Sequence, residues 1–328
     1  MAELTAENPL LAIDLGGSKI VTALVSPKGE IIAREYTPTL AEEGTEAVIG
    51  RMVAAIDSVI SKADLPRSSF SNIVIASAGA IDPEKGIVTA SPNLPGWRDV
   101  PLKEIMQKAT GLEAFLINDA SAAALGEHYF GVGRGVNNLI YITVSTGIGG
   151  GIIIDGKLYS GVSGSAGEIG HTTIDINGPR CNCGNIGCLE VLASGTAVAK
   201  EAQRLIAQGA KTMLTKLAEG EAQNITAQTV AAAAQKGDAL ALAIISKAAT
   251  YLGIGLVNLV NIFNPEMIIV GGGMTHMGDM LLDPARKVVA ERAFQLPAQR
   301  VRIVPSQLGD NAAVLGATAF VRELAKPL

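Results

Sequence analysis

The stretch from Glu168 to Glu190, EIGHTTIDINGPRCNCGNIGCLE, constrains this chain more than any other. It holds all three cysteines of the protein, Cys181, Cys183 and Cys188, and one of its three histidines, His171. One imidazole nitrogen and three thiolate sulfurs make a Cys₃His donor set, which closes a tetrahedron around Zn²⁺ and leaves no open position. Such a site is structural: it folds a loop and performs no chemistry. Glu168 and Glu190 flank the ligands, so a metal that folds this loop also fixes both carboxylates. The competing reading is a set of buried thiols beside a surface histidine, and the tight spacing favours the metal. A disulfide fits poorly, because three is an odd number and a Cys-x-Cys pair closes a very small, strained loop. The N-terminal MAELTAENPL is acidic and has neither the basic nor the apolar region of a secretory signal. A reduced, cytoplasmic protein is expected.

A chain of 328 residues is expected to form two domains, since single cores rarely grow past about 250–300 residues. Almost half of it is apolar and its net charge is −5. That is an enzyme-like composition and not a disordered one. No Lys/Arg-rich run offers a footprint for nucleic acid. The most apolar segment, from Ala248 to Phe263, is interrupted by Thr250, Asn258 and Asn261. It falls short of the about 20 apolar residues that span a bilayer, so a buried helix is expected and no membrane partner.

In chain order, Leu10–Leu15 is a buried strand, and Gly16-Gly17-Ser18-Lys19 is a tight turn after Asp14. Ile20–Val25 and Ile31–Tyr36 are the next strands, joined by the turn Pro27-Lys28-Gly29-Glu30. The motif DLGGSK therefore lies in a β-hairpin and is not a P-loop, which opens a helix. Its backbone N–H groups could face phosphate oxygens, and a plain hairpin turn is equally compatible. Glu42–Lys62 has helical periodicity, Asn72–Ser77 is a strand, and the segments Ser77–Pro83 and Ser91–Trp97 are loops. Glu113–Ile117 is a strand that runs into Asn118-Asp119, followed by a helix over Ala120–Tyr129. A carboxylate there suits chemistry in an open α/β sheet, or caps the helix.

Leu139–Ser145 is a strong strand, Thr146–Gly151 a glycine turn, and Ile152–Ile154 the return strand. This repeats the strand, glycine turn, strand unit at Asp14 and suggests an internal duplication. Two such hairpins could cradle one polyphosphate; unrelated hairpins are the alternative. Helical stretches with glycine breaks fill Gly195 to Ala234, and one long helix covers Asp238–Asn264 before Pro265. Met267–Val270 is a strand followed by Gly271-Gly272-Gly273, which allow close backbone approach to a flat ligand. A helix runs on to about Phe294, Val301–Val304 is the last strand, and Ala312–Ala325 the last helix.

These motifs together resemble the sugar kinases of the ROK family, and its bacterial glucokinases in particular. The matching pieces are DLGGSK at Asp14, NLPGW at Asn93, ND at Asn118, STGIGGG at Ser145, EIGH at Glu168, CNCGNIGCLE at Cys181 and IIVGGG at Ile268. The resemblance implies an α/β, actin-like (ribonuclease H-like) two-domain ATPase fold with a central cleft and duplicated mixed β-sheets. A small domain would span residues 1–118 and be completed by a C-terminal helix, 312–328. It would hold the first phosphate loop and part of the sugar site. A large domain, 119–311, would hold the second phosphate loop, the zinc loop and the adenosine loop.

By the same resemblance Asp119 is the catalytic base. Asn93, Asn118, Asp119, Glu168, His171 and Glu190 hold sugar hydroxyls, with backbone from Gly79. Gly16, Gly17, Ser18, Lys19, Thr146 and Gly147 receive phosphates, Gly271 and Gly272 the adenosine, and Asp14 lies near Mg²⁺. His171 then serves zinc with one ring nitrogen and the sugar with the other. The implied reaction is ATP-dependent phosphorylation of glucose at O6. N-acetylmannosamine, N-acetylglucosamine and fructose are the rival acceptors, and polyphosphate the rival donor. The implied partners are sugar and nucleotide, with a homodimer usual in the family. The family also contains repressors with an N-terminal helix-turn-helix domain, for which the stretch before the first strand is too short. A sugar sensor without catalysis is a remote alternative that Asp119 argues against. In three places the sequence departs from the family: Ser18 stands where a threonine is frequent, Ala78 where a proline commonly precedes the glycine, and Ile186 where a basic residue is frequent.

Overall fold

The computed structural model describes residues 8–66, 69–70, 72–91 and 93–324. Most of the acidic N-terminal run, Pro92 of the Ser91–Trp97 loop, and residues 325–328 of the expected last helix lie outside them. The chain forms two compact units. The first comprises residues 1–141, 151–167 and 307–328, and the second 142–150 and 168–306.

The strands in order are β1 (Leu10–Leu15), β2 (Lys19–Val25), β3 (Ile31–Pro38), β4 (Asn72–Ser77), β5 (Ala80–Asp82), β6 (Ile87–Ala90), β7 (Arg98–Val100), β8 (Glu113–Asn118), β9 (Leu139–Val144), β10 (Ile148–Ile154), β11 (Lys157–Leu158), β12 (Met267–Gly271) and β13 (Arg302–Pro305). The helices are α1 (Thr45–Ala63), α2 (Leu102–Thr110), α3 (Asp119–Phe130), α4 (Leu189–Ala193), α5 (Gly195–Ala207), α6 (Leu214–Leu217), α7 (Ala227–Gln235), α8 (Ala239–Phe263), α9 (Asp279–Arg292), α10 (Gln295–Arg300) and α11 (Ala312–Leu324).

Two five-stranded sheets follow one plan. Their orders are β3-β2-β1-β4-β8 and β11-β10-β9-β12-β13. In each, three consecutive strands form one edge and two later strands complete the other. The first sheet is mixed: β1 pairs antiparallel with β2 and parallel with β4, which is parallel to β8. The matching order is what a duplicated unit gives, as the two glycine hairpins lead one to expect. Strands β1 and β4 read as nearly continuous apolar runs because both faces are covered.

In the first unit the core gathers Ile13, Leu15, Met52, Ile75, Trp97 and Met106 from β1, α1, β4, the 91–97 loop and α2. Helix α11 packs on α3 so closely that a Cβ on Gly316 would overlap the carbonyl oxygen of Ala122, and one on Gly126 that of Ala312. This explains why the compact units do not divide at the expected boundary of 118/119. The helix after Asp119 is bound to the C-terminal helix and stays in the first unit, with β9 and β10 shared at residues 141/142 and 150/151.

In the second unit α8 is the long helix, capped by Asp238, whose carboxylate accepts from the Ala241 N–H at 2.9 Å. It ends in the left-handed Asn264 before Pro265. By length and composition α8 could cross a membrane, but over half of its most apolar window is buried inside the protein, against α9 and its neighbours. Gly253 lets α9 approach, with the Ala285 carbonyl 2.9 Å from where a Cβ would stand.

Three local expectations change. The glycine run after Thr146 is not all turn: residues 148–154 form β10, and only Ser145-Thr146-Gly147 turns. Gly151 is glycine because α3 lies against it, with the Ala120 carbonyl 2.6 Å from a notional Cβ. Ala80–Asp82, expected in a loop, pairs with β6, and β6 with β7, as a small separate sheet. Helix α1 begins at Thr45, after a 3₁₀ turn over Ala41–Glu43.

Candidate active site and zinc loop

The first unit gathers one set of the expected residues. β1 ends at Asp14 and Leu15, and the turn that follows is closed by the Gly16 N–H donating to the Lys19 carbonyl at 3.0 Å. Gly17 has no side chain because Asn93 lies against it: a Cβ there would stand 2.8 Å from the Asn93 Cβ. Asn118 is the N-cap of α3, its Oδ1 accepting from the Ser121 N–H at 3.1 Å. Its Nδ2 donates to the Gly79 carbonyl at 3.2 Å. Gly79 has φ +103°, and a side chain there would strike Ser91. One asparagine thus fixes the start of α3 and the Gly79 turn together.

Asp119 is the first residue of α3, half-buried, with its Oδ1 accepting from the Ala120 N–H at 2.8 Å. The capping alternative for Asp119 therefore passes to Asn118. Burial and the nearby Asp119 charge push the Asp14 carboxyl up to about 7, against an opposing pull from Lys19. A carboxylate held back from ionising by a second carboxylate suits a divalent cation, which would restore its charge. The Lys19 ammonium is 2.7 Å from Asp310 Oδ1. Asp310 was not among the expected residues. It belongs to the 3₁₀ turn Gly309–Asn311 that opens α11, where the sequence reads as a helix start and nothing marks a partner for Lys19.

The second unit gathers the rest. The Ser145–Gly147 turn is closed by the Ser145 N–H donating to the Gly147 carbonyl at 2.9 Å. The Gly195 N–H and Thr196 Oγ1 donate to the carbonyls of Ser145 and Thr146, each at 2.7 Å. Gly272, with φ +85°, packs against the Val144 backbone and the Thr143 side chain next to this turn, with Thr143 Oγ1 2.7 Å from a notional Cβ. The two glycine loops expected to receive nucleotide in this unit are therefore adjacent. Gly271 ends β12 in the buried interior.

The Glu168–Glu190 segment folds as a loop braced by its own backbone. The Cys181 N–H donates to the Asn185 carbonyl at 2.8 Å, and the Ile174 N–H to that of Gly187 at 2.7 Å. Gly187, at φ +64°, leaves room for the Asp175 carbonyl. The ligand atoms of His171, Cys181, Cys183 and Cys188 all lie within 4.8 Å of one another. Cys183 and Cys188 Sγ are 3.7 Å apart, and Cys181 Sγ is 3.6 Å from His171 Nδ1. A tetrahedron with Zn–S bonds of about 2.3 Å has edges of about 3.8 Å. The donor set fits Zn²⁺ in both chemistry and spacing. Burial pushes the Cys188 thiol up to about 12 and raises Cys181, whereas the Asn185 N–H lowers Cys183.

The histidine turns Nδ1 toward the cysteine sulfurs, and its Nε2 lies 3.9 Å from Glu168 Oε2. Burial raises the Glu168 carboxyl, His171 opposes the shift, and the Glu190 charge adds to it. Glu190 Oε2 accepts from the Ile148 N–H at 3.0 Å. Glu168, His171 and Glu190 therefore form one polar group.

The ROK family model matches residues 10–324. The chain belongs to the ROK family. It is 38% identical to a glucokinase of Thermotoga maritima over 96% of this chain and 97% of that protein. It is also 38% identical to a xylose repressor of Caldicellulosiruptor bescii, over 95% of this chain and 77% of the repressor. The structure of a ROK glucokinase from Streptomyces griseus, solved with glucose and AMPPNP, superposes with a TM-score of 0.86 at 33% identity, covering 96% of this chain and 100% of that one. This ROK protein has the actin-like ATPase fold and is a sugar kinase.

Proposed function

We propose that this ROK kinase transfers the γ-phosphoryl group of ATP to O6 of glucose. The observation that carries the proposal is the half-buried Asp119, at the end of β8 and the start of α3, with its charge felt by Asp14. Support comes from the glucokinase relative, matched over nearly its whole length, and from the relative solved with glucose and AMPPNP.

In this reading Gly79, Asn93, Asn118, Asp119, Glu168, His171 and Glu190 hold the hydroxyls of the sugar. Ionised acceptors make stronger hydrogen bonds to hydroxyls than neutral ones do. A site lined with such groups rejects analogues that lack a hydroxyl, because the protein's polar atoms are then left unpaired. Gly16, Gly17, Ser18, Lys19, Thr146 and Gly147 take the phosphates, and Gly271 and Gly272 the adenosine.

Phosphoryl transfer has a loose transition state, so the protein mainly orients groups and neutralises charge. Asp119 accepts the O6 proton late in transfer, as the hydroxyl becomes acidic. Mg²⁺ near Asp14, when bound, would neutralise charge on the phosphates. Zn²⁺ on His171, Cys181, Cys183 and Cys188 would hold the loop that presents Glu168 and Glu190. Thiolate ligands suit the reducing cytoplasm. A homodimer belongs to the same proposal and is tested by light scattering.

A coupled assay for ADP release over glucose, N-acetylmannosamine, N-acetylglucosamine and fructose tests the acceptor. Glucose should give the highest kcat/KM; a higher value for another sugar transfers the assignment to it. Replacing ATP by polyphosphate tests the donor. A second reading, a sugar-responsive regulator, is motivated by the xylose repressor relative. It predicts sugar binding without turnover in the same assay.

A further inference from the structure

Glu190 does more in this fold than face a sugar. Its Oε2 accepts from the Ile148 N–H at 3.0 Å, the first amide after the Ser145–Gly147 turn. The same oxygen occupies the space in which a Cβ on Gly147 would stand. Gly147 has no positive φ to demand glycine. A side chain is excluded there by the carboxylate. Glu190 also sits in the first turn of α4, two residues after Cys188, which is that helix's N-cap. Cys188 is anchored in turn to the zinc loop, with its Sγ 3.5 Å from the His171 carbonyl, and the Leu189 N–H donates to the Thr172 carbonyl at 2.9 Å. Glu190 Oε1 lies 4.0 Å from Cys181 Sγ.

We infer that Glu190 is a positioning residue for the second glycine turn, through which the folded zinc loop sets the nucleotide affinity. The inference rests on the reading that this turn and the Gly272 loop receive the nucleotide. The physical reason is that a glycine turn binds phosphate well only when its N–H groups are already aimed. The turn is held from α5 by Gly195 and Thr196 through its carbonyls. Glu190 holds it from α4 through the Ile148 N–H, with a charged acceptor, the stronger kind. A zinc ion held by His171, Cys181, Cys183 and Cys188 would thus act on phosphate binding through the Glu190 carboxylate.

The test separates this role from sugar binding by leaving the sugar out. ADP affinity is measured by calorimetry on the zinc-loaded full chain, and exchange of the Ile148 amide by NMR, for wild type, Glu190→Gln and Glu190→Ala. Glutamine keeps an acceptor in the same place; alanine removes it. Glu190→Ala should weaken ADP about tenfold and speed Ile148 exchange by a similar factor, the effect of losing a hydrogen bond to a charged group. Glu190→Gln, which keeps an acceptor but loses its charge, should fall between wild type and Glu190→Ala in both, while both variants keep their zinc, whose ligands are untouched. Gly272→Val serves as the control for the nucleotide reading. If it loses ADP while Glu190→Ala keeps wild-type affinity, the positioning role is wrong and the nucleotide reading stands. If Gly272→Val also binds ADP like wild type, the nucleotide reading falls and takes the inference with it.

Discussion

Cys183 Sγ lies 3.7 Å from Cys188 Sγ, the edge of a zinc–thiolate tetrahedron and far longer than the about 2.05 Å of a disulfide. The prediction is one zinc per chain. Elemental analysis of purified protein should give near-stoichiometric zinc, and Cys183→Ser should lose the metal together with activity. A metal-free Cys183→Ser variant with full activity would show that the loop does not depend on zinc.

Two helical glycines, one packed against a neighbouring helix and one free of neighbours, should respond oppositely to alanine. Gly316→Ala places a methyl group against the Ala122 carbonyl, and neither helix backbone can yield cheaply. It should destabilise by about 3 kcal/mol, at the upper end for overpacking. Gly50 lies in α1, exposed, with nothing near its notional Cβ. Gly50→Ala should stabilise by about 0.5–1 kcal/mol through helix propensity. Thermal denaturation of both checks the pair. A destabilised Gly50→Ala together with a neutral Gly316→Ala would contradict the packing described.

Asp14 gives a pH signature. Its carboxyl is pushed up to about 7 in the folded chain, from 3.8 unperturbed. The folded state therefore binds the extra proton between these values, and stability falls as pH rises through that window. Asp14→Asn removes the penalty. In metal-free and nucleotide-free protein, its Tm advantage over wild type should grow by about 2–4 °C or more from about pH 5 to about pH 8. An advantage that does not change with pH would show that Asp14 is not the group whose charge is suppressed.

Much of this was legible in the sequence, for identifiable reasons. The donor atoms of His171, Cys181, Cys183 and Cys188 come from one short stretch of sequence, so spacing alone brings them together. β1, β4, β8, β9 and β12 are short apolar runs closed by turn signals, and α8 carries both a cap and a terminating proline. The return strand β10 was partly hidden because Gly149, Gly150 and Gly151 look like a turn. Only the approach of α3 explains why Gly151 sits inside a strand. Helix α2 and strands β6 and β7 are short and half-polar, with too little periodicity to stand out. The pairing of Lys19 with Asp310 and the contact of Glu190 with Ile148 join residues far apart in the chain, which no local pattern encodes. The same holds for the packing of α3 on α11: Gly126 and Gly316 meet across most of the chain's length.

The central claim is that Asp119 takes the proton of the attacking hydroxyl, and one variant tests it most directly. Asp119→Asn preserves shape and can still hydrogen-bond the sugar, but it cannot accept that proton. A carboxylate is a weak base toward a ground-state alcohol, so its effect appears in the transition state. Positioned bases contribute about 10²–10⁴-fold. With kcat from a coupled assay and glucose Kd from calorimetry, Asp119→Asn should lose at least about 10²-fold in kcat while Kd moves by less than about tenfold. Turnover within about tenfold of wild type would contradict the account and leave Asp119 a sugar contact, with the base to be sought elsewhere.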